Sequence, residues 1–197
     1  MSEAYIQLPP DSTGKKSRQI AKTRDSETVY ERVVAGLHIE EENPVYAVAV
    51  SASAVAASKH HLTIWNGSNS YIRILKVLVS AHSTAAVSGF IMQYIMQRAS
   101  AVSGGTALTI VKLDNRDPDL PYGISAYTGA TVTLREAPLA IFTLCPEETG
   151  AFADVQFDPP KPIVVAPNEG ITIQQYATAG VGLFNAVIYF SVEVIKP

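Results

Sequence analysis

"HLTIWNGSNSYIRILKVLVSA", residues 61–81, decides the fold. β-Branched and aromatic residues dominate on both sides of Asn66-Gly67, and Ile72, Ile74, Val77 and Val79 alternate with their neighbours apart from one change of register. Asn-Gly between two such runs is a strong short-range turn signal, so the stretch predicts a β-hairpin. Downstream the same style recurs in "VSGFIMQYIMQR", "TALTIVKL", "ATVTLRE", "PLAIFTL", "FADVQF", "KPIVVAP", "GITIQQY" and "LFNAVIYFSVEVI". The breaks hold Pro138, Pro146, Gly150, Pro159, Pro160, Pro162, Pro167, Gly170, Gly180 and Gly182, while Asp114 to Gly129 reads as one long Pro-, Asp- and Gly-rich loop. About nine or ten strands in succession, with no amphipathic helical window between them, predict an all-β antiparallel sandwich, of which a jelly roll is the favoured member.

Upstream, "NPVYAVAVSASAVAASKHH" is apolar but built of small residues, and its alternation favours a strand. Ala47, Ala49, Ser51 and Ser53 then share one face that lets another backbone approach closely. The domain reading is an extended N-terminal arm over 1–44, a small-residue linker or first strand over 45–58, and the sandwich over 59–197.

The arm differs in kind from the rest. Lys15, Lys16, Arg18, Lys22 and Arg24 crowd between Asp11 and Arg24, and Glu40, Glu41 and Glu42 close the region. With few large apolar residues it cannot offset its own ordering entropy, so alone it is expected to be mobile. Pro9 and Pro10 force Leu8 toward extended geometry, and "DSTG" is a turn. Tyr5, Ile6 and Leu8 therefore sit on an extended peptide suited to adding to another protein's sheet edge, with Lys15, Lys16, Arg18, Lys22 and Arg24 as an electrostatic clamp.

Composition excludes several function classes. Of 197 residues 47% are hydrophobic but only 17% charged, so part of the surface is expected to lie against copies of the chain or a partner. A net charge of −3 argues against bulk nucleic-acid binding, which needs a basic stripe. No run reaches the ~18 apolar residues of a membrane-spanning helix, and no signal-peptide pattern opens the chain, which points to folding in a reducing cytoplasm. The single cysteine, Cys145, has no partner for an intrachain disulfide or a metal pair and reads as a small hydrophobe in "LAIFTLC".

Candidate chemistry is thin. His60 and His61 are adjacent, so in a strand they point to opposite faces and one metal ion cannot take both. They read as surface or interface histidines, as do His38 and His82. Asp114, Asp117 and Asp119 in "DNRDPDLP" fail the EF-hand spacing and read as turn formers. Glu147 and Glu148 read as an exposed turn. "GVGLFN" lacks the third glycine of a dinucleotide loop, and no nucleophile elbow is present. Trp65, Tyr122 and Tyr127 could form an aromatic platform for sugars. No cofactor and no enzymatic activity are expected.

"IQLPPDSTGKK" (6–16) resembles the opening of a group of tailed-bacteriophage virion proteins, with a short apolar strand, a Pro-Pro-Asp turn and a Gly-Lys-Lys step. "FDPPKPIVVAPNEGITIQQ" (157–175) is similar to a later segment of that group, and "LTIWNGSNSYIRILKV" agrees in style and order. The resemblance implies a virion component assembled in the host cytoplasm: a capsid decoration or cement protein, or a neck or fibre-anchoring one. Its partners would be major capsid or connector subunits, with no direct nucleic acid and no membrane, and its oligomer a homotrimer by analogy with other virion jelly rolls. A carbohydrate- or receptor-binding module using residues 114–129 is the alternative.

Overall fold

The structure, a computed structural model, describes residues 3–6, 17–24, 27–33, 43–82, 92–144, 151–156, 162–176 and 182–193. Among them every regular element is a strand, and the chain divides into two units, Met1–Glu42 and Asn43–Pro197.

In the first unit β1 (Glu3–Ile6), β2 (Ser17–Arg24) and β3 (Glu27–Val33) form a three-stranded antiparallel sheet. Tyr5 stands opposite Arg18, Lys22 opposite Val29 and Arg24 opposite Glu27. The segment read as one extended arm thus has strands that pair with one another, a feature that period-two patterning did not signal here. Leu8, Lys15 and Lys16 lie outside the described residues.

The second unit is two antiparallel sheets packed as a β-sandwich. One sheet contains β4 (Val45–Ala54), β6 (Tyr71–His82), β9 (Ile110–Lys112), β13 (Ala151–Gln156), β14 (Ile163–Val165) and β16 (Leu183–Glu193). The other contains β5 (His60–Asn66), β7 (Met92–Ser103), β8 (Thr106–Ala107), β10 (Ile124–Thr128), β11 (Thr131–Leu134), β12 (Ala140–Leu144) and β15 (Glu169–Gln175). Pairing is nested: β4 with β16, β5 with β15, β6 with β13 and β14, and β7 with β11 and β12. β6–β16 and β7–β15 contacts then complete the two sheets.

Alternation fills the space between them. Ile72, Ile74, Val77 and Val79 of β6 and Phe184, Ile188, Phe190 and Val192 of β16 face Leu62, Ile64, Met96, Ile171 and Ile173 from the opposite sheet, all at most 1% exposed. Each such side chain contributes about 1.5–3 kcal/mol on burial. Tyr94 of β7 stacks on Phe184 of β16 at a centroid distance of 4.2 Å, joining the sheets, while Tyr46 stacks on Phe190 within its own sheet.

Three sequence readings are corrected. β5 and β6 are not hairpin partners, for they lie in different sheets. The buried Asn66 amide donates to the carbonyls of Ser70 and Val165 and its Oδ1 accepts from Ser68, which makes the connection a corner between sheets. "TALTIVKL" is not one strand, because β8 and β9 belong to opposite sheets. The 114–129 stretch contains β10, whose Ile124 and Ala126 point into the core. The small-residue run, in contrast, is a strand as the alternation indicated.

Candidate functional site

Small residues on β4 open one end of the sandwich to a polar bridge. Ala47, Ala49 and Ser51 share the outer face, but a register shift opposite Phe184 and Ala186 and a positive φ of 50° at Ala52 interrupt the alternation. A bulge of this kind re-aims the following side chain. Ser53 therefore leaves the face it was expected to share and turns inward, where its Oγ lies 2.8 Å from Nδ1 of His61.

His61 is wholly buried, which corrects its reading as a surface or interface residue. A register shift in the β5–β15 ladder between Leu62 and His60 brings the ring into the core beside Phe184 and Tyr94. Nε2 meets Gln175 Oε1 at 3.3 Å, and the same oxygen accepts from the Ala56 N–H at 2.9 Å. An amide oxygen only accepts, so Nε2 carries the proton, Nδ1 is the bare nitrogen, and the Ser53 hydroxyl donates to it. Burial, with Lys59 and His60 adding like charge and the Gln175 bond opposing, pushes the imidazole down to about 4. His60 points the opposite way, its Nδ1 3.0 Å from Thr172 Oγ1, and burial lowers its pKa as well.

A serine hydrogen-bonded to a neutral imidazole is the arrangement of an activated nucleophile. Here Ser53 is 8% exposed and the ring 0%, and both ring nitrogens are engaged by protein groups. The geometry is that of a strut between β4 of one sheet and β5 and β15 of the other.

The acidic loop has structural partners. Asp117 Oδ2 accepts from the Val45 N–H, Lys112 Nζ donates to Asp117 O and Asp119 Oδ1, and the Tyr46 hydroxyl donates to Pro118 O. Hydrogen bonds from Arg116 hold Asp114 down at about 2. Tyr46 is raised by burial and by Asp117 and Asp119. Among the described residues no group of three or more His, Cys, Asp or Glu is placed to hold a metal ion.

The aromatic residues gather at one end of the seven-stranded sheet. Trp65 stands opposite Ser125 and Tyr127 opposite Thr63, so Trp65 and Tyr127 are diagonal neighbours on the outer face. The Gly67 N–H donates to Gly123 O at 2.9 Å, which ties Gly123 to the corner after Trp65, and the neighbouring Tyr122 is fully exposed. Cys145, Glu147, Glu148 and His38 lie outside the described residues. Sequence reasoning missed Ser53, Gln175 and Arg98, the last donating to Val164 O and facing Glu136 and Glu169. Only the adjacency of His60 and His61 at the start of an apolar strand hinted that one of them points inward.

The chain matches no protein-family model, no curated protein and no solved structure.

Proposed function

We propose that this chain is a structural component of a tailed-bacteriophage virion, a decoration, cement or neck protein whose jelly-roll body packs against copies of itself as a trimer. Residues 1–44 dock it onto major capsid or connector subunits. Nested pairing of first strand with last, second with seventh, third with sixth and fourth with fifth, taking β11 with β12 and β13 with β14 as single edges, supports the jelly roll. That architecture serves capsid proteins, lectins and cupins alike, so the choice among them rests on surfaces.

The observation that carries the assembly reading is the outer face of the six-stranded sheet. Register aligns Val111, the buried Ala47 and Tyr189 in one row, which ends at Lys76, and Ala49, Val187 and Leu78 in the next, which ends at Asp154. Val111 is 51% exposed and Leu113, on the same edge, 55%. Contiguous apolar surface of this kind marks a contact with another protein. The resemblance in residues 6–16 and 157–175 supplies the kind of partner. Removal of residues 1–42, a unit separate from the sandwich, is expected to leave a folded protein that no longer cosediments with assembled particles. Normal incorporation of the truncated protein overturns the docking role.

The alternative, a carbohydrate-binding module of a fibre, is favoured by one observation: the Gly67–Gly123 hydrogen bond that ties the turn following the exposed Tyr122 to the corner following Trp65. A glycan array comparing the protein with Trp65→Ala and Tyr122→Ala variants tests it, and an array without a hit removes it.

A further inference from the structure

We propose that the Ser53–His61–Gln175 bridge is an acid-sensitive clasp, which holds the β4–β5 end of the sandwich shut while the imidazole is neutral and lets that end open when it takes up a proton.

The bridge is placed where opening is local. Ser53 lies near the end of β4, His61 near the start of β5 and Gln175 at the end of β15, so the connection over residues 55–59 closes over all three. That connection is fastened by Val55 N–H to Gly182 O, Ala56 N–H to Gln175 Oε1, Gln175 N–H to Lys59 O and Lys59 Nζ to Ala54 O. Two of these fastenings use Gln175, whose Oε1 also accepts a hydrogen bond from the His61 Nε2–H. Ala52 (φ 50°), ahead of the segment, and Ser58 (φ 59°), within it, lie in the left-handed region, which disfavours non-glycine residues. Opening relieves that strain.

Protonation strikes the bridge on its Nδ1 side, while the Nε2–H bond to Gln175 Oε1 persists. With both ring nitrogens donating, the Ser53 hydroxyl must reverse to accept, and its own proton loses its acceptor. The titratable or charged groups near the ring are Lys59, just before the strand, His60, which points to the other face, and the Tyr94 phenol of β7; Ser53 of β4, Gln175 of β15 and Phe184 of β16 are uncharged. None of these supplies a negative partner to an imidazolium, since burial raises the Tyr94 pKa.

The sign follows from linkage. The ring titrates at about 4 in the closed form and near its ordinary 6.5 once exposed to water. Closure is thus fully favoured above pH 6.5 and weakens as the pH falls from 6.5 to about 4. Between pH 7 and pH 5 the open population is expected to rise roughly twentyfold.

The test is hydrogen–deuterium exchange of amides 53–61 in the full chain from pH 7 to pH 5, compared with His61→Gln at each pH so that intrinsic exchange cancels. The expected result is a roughly twentyfold excess of opening in the wild type at pH 5 that His61→Gln lacks and His60→Gln largely keeps. Equal pH responses in the wild type and His61→Gln overturn the proposal. Should His61→Gln not fold, the His61 Cε1–H signal of the wild type decides: titration well below pH 6 together with opening supports the clasp, and titration near 6.5 with residues 53–61 still protected overturns it.

Discussion

Trp65 lies across the bare Cα of Gly170, its opposite number on β15. A Cβ there would stand 3.1 Å from Cε3 of the indole, 3.2 Å from the Ala99 Cβ and 2.8 Å from the Ile64 carbonyl oxygen. Gly170 needs no left-handed backbone, so its role is space alone. Gly170→Ala is expected to destabilise the sandwich by about 1–3 kcal/mol, because the Ile64 oxygen is main chain and cannot rotate away. Combining it with Trp65→Ala should recover only part of the loss. Urea midpoints of the three variants measure this, and an unchanged midpoint for Gly170→Ala contradicts the packing described.

Asn66 is the joint between the sheets. Its Nδ2 donates to Ser70 O at 2.8 Å and Val165 O at 3.2 Å, and its Oδ1 accepts from the N–H and hydroxyl of Ser68. Asn66→Ala should cost about 2–3 kcal/mol, the burden of leaving buried carbonyls unpaired. Asn66→Asp should cost more at pH 7, since a carboxylate then faces two carbonyl oxygens. Its deficit should shrink in acid, where a protonated carboxyl regains a donor. Thermal unfolding at pH 7 and pH 4.5 separates the two variants.

This residue also shows where reading the chain stops. Alternation in "YIRILKVLVSA", "GITIQQY" and "LFNAVIYFSVEVI" was enough to find β6, β15 and β16, because period-two burial is a local property. Asn66-Gly67 looked like a hairpin because the same residue pair suits a tight turn. What makes it a corner is the Val165 carbonyl, far along the chain, and no local pattern announces it. β10 was hidden by its proline-rich surroundings although Ile124 and Ala126 alternate with Ser125 and Tyr127. His61 reads as a surface or interface residue because adjacent histidines on a strand point to opposite faces and cannot share one metal ion. The partners that admit the ring, a serine re-aimed by a bulge and a glutamine on a distant strand, become visible only once the sheets are assembled.

Arg98 and Arg73 form ion pairs of different worth. Arg98 is 20% exposed, donates to Val164 O at 2.6 Å and faces Glu169, itself 17% exposed and also paired with Arg135. Arg73 meets Glu193 with both side chains more than a third exposed. Arg98→Met should cost about 2 kcal/mol or more, since it strands a half-buried carbonyl and weakens the hold on Glu169. Arg73→Ala should cost less than about 1 kcal/mol and lose even that effect at high salt. Urea titrations at low and at 1 M salt distinguish them, and equal losses would mean that burial does not set their worth.

The outer face of the six-stranded sheet yields the last prediction. Ala49 is exposed at the β4 end of its apolar row, opposite Val187 on β16 and two residues along from Ala47, which is opposite Tyr189. A substitution there meets solvent in a lone sandwich, so Ala49→Arg is expected to shift stability by only about 0.5 kcal/mol. If the face is instead covered by another copy, the guanidinium must be buried without a partner, and association should weaken by several kcal/mol. Sedimentation velocity over a range of concentrations reads the difference directly. The wild type should run as an oligomer and Ala49→Arg as a folded monomer, whereas Tyr122→Ser, which alters an exposed side chain on the other sheet's loop, should leave the oligomer intact. A wild type that stays monomeric at every concentration would sink self-association, and an oligomer indifferent to Ala49→Arg would move the contact to another face.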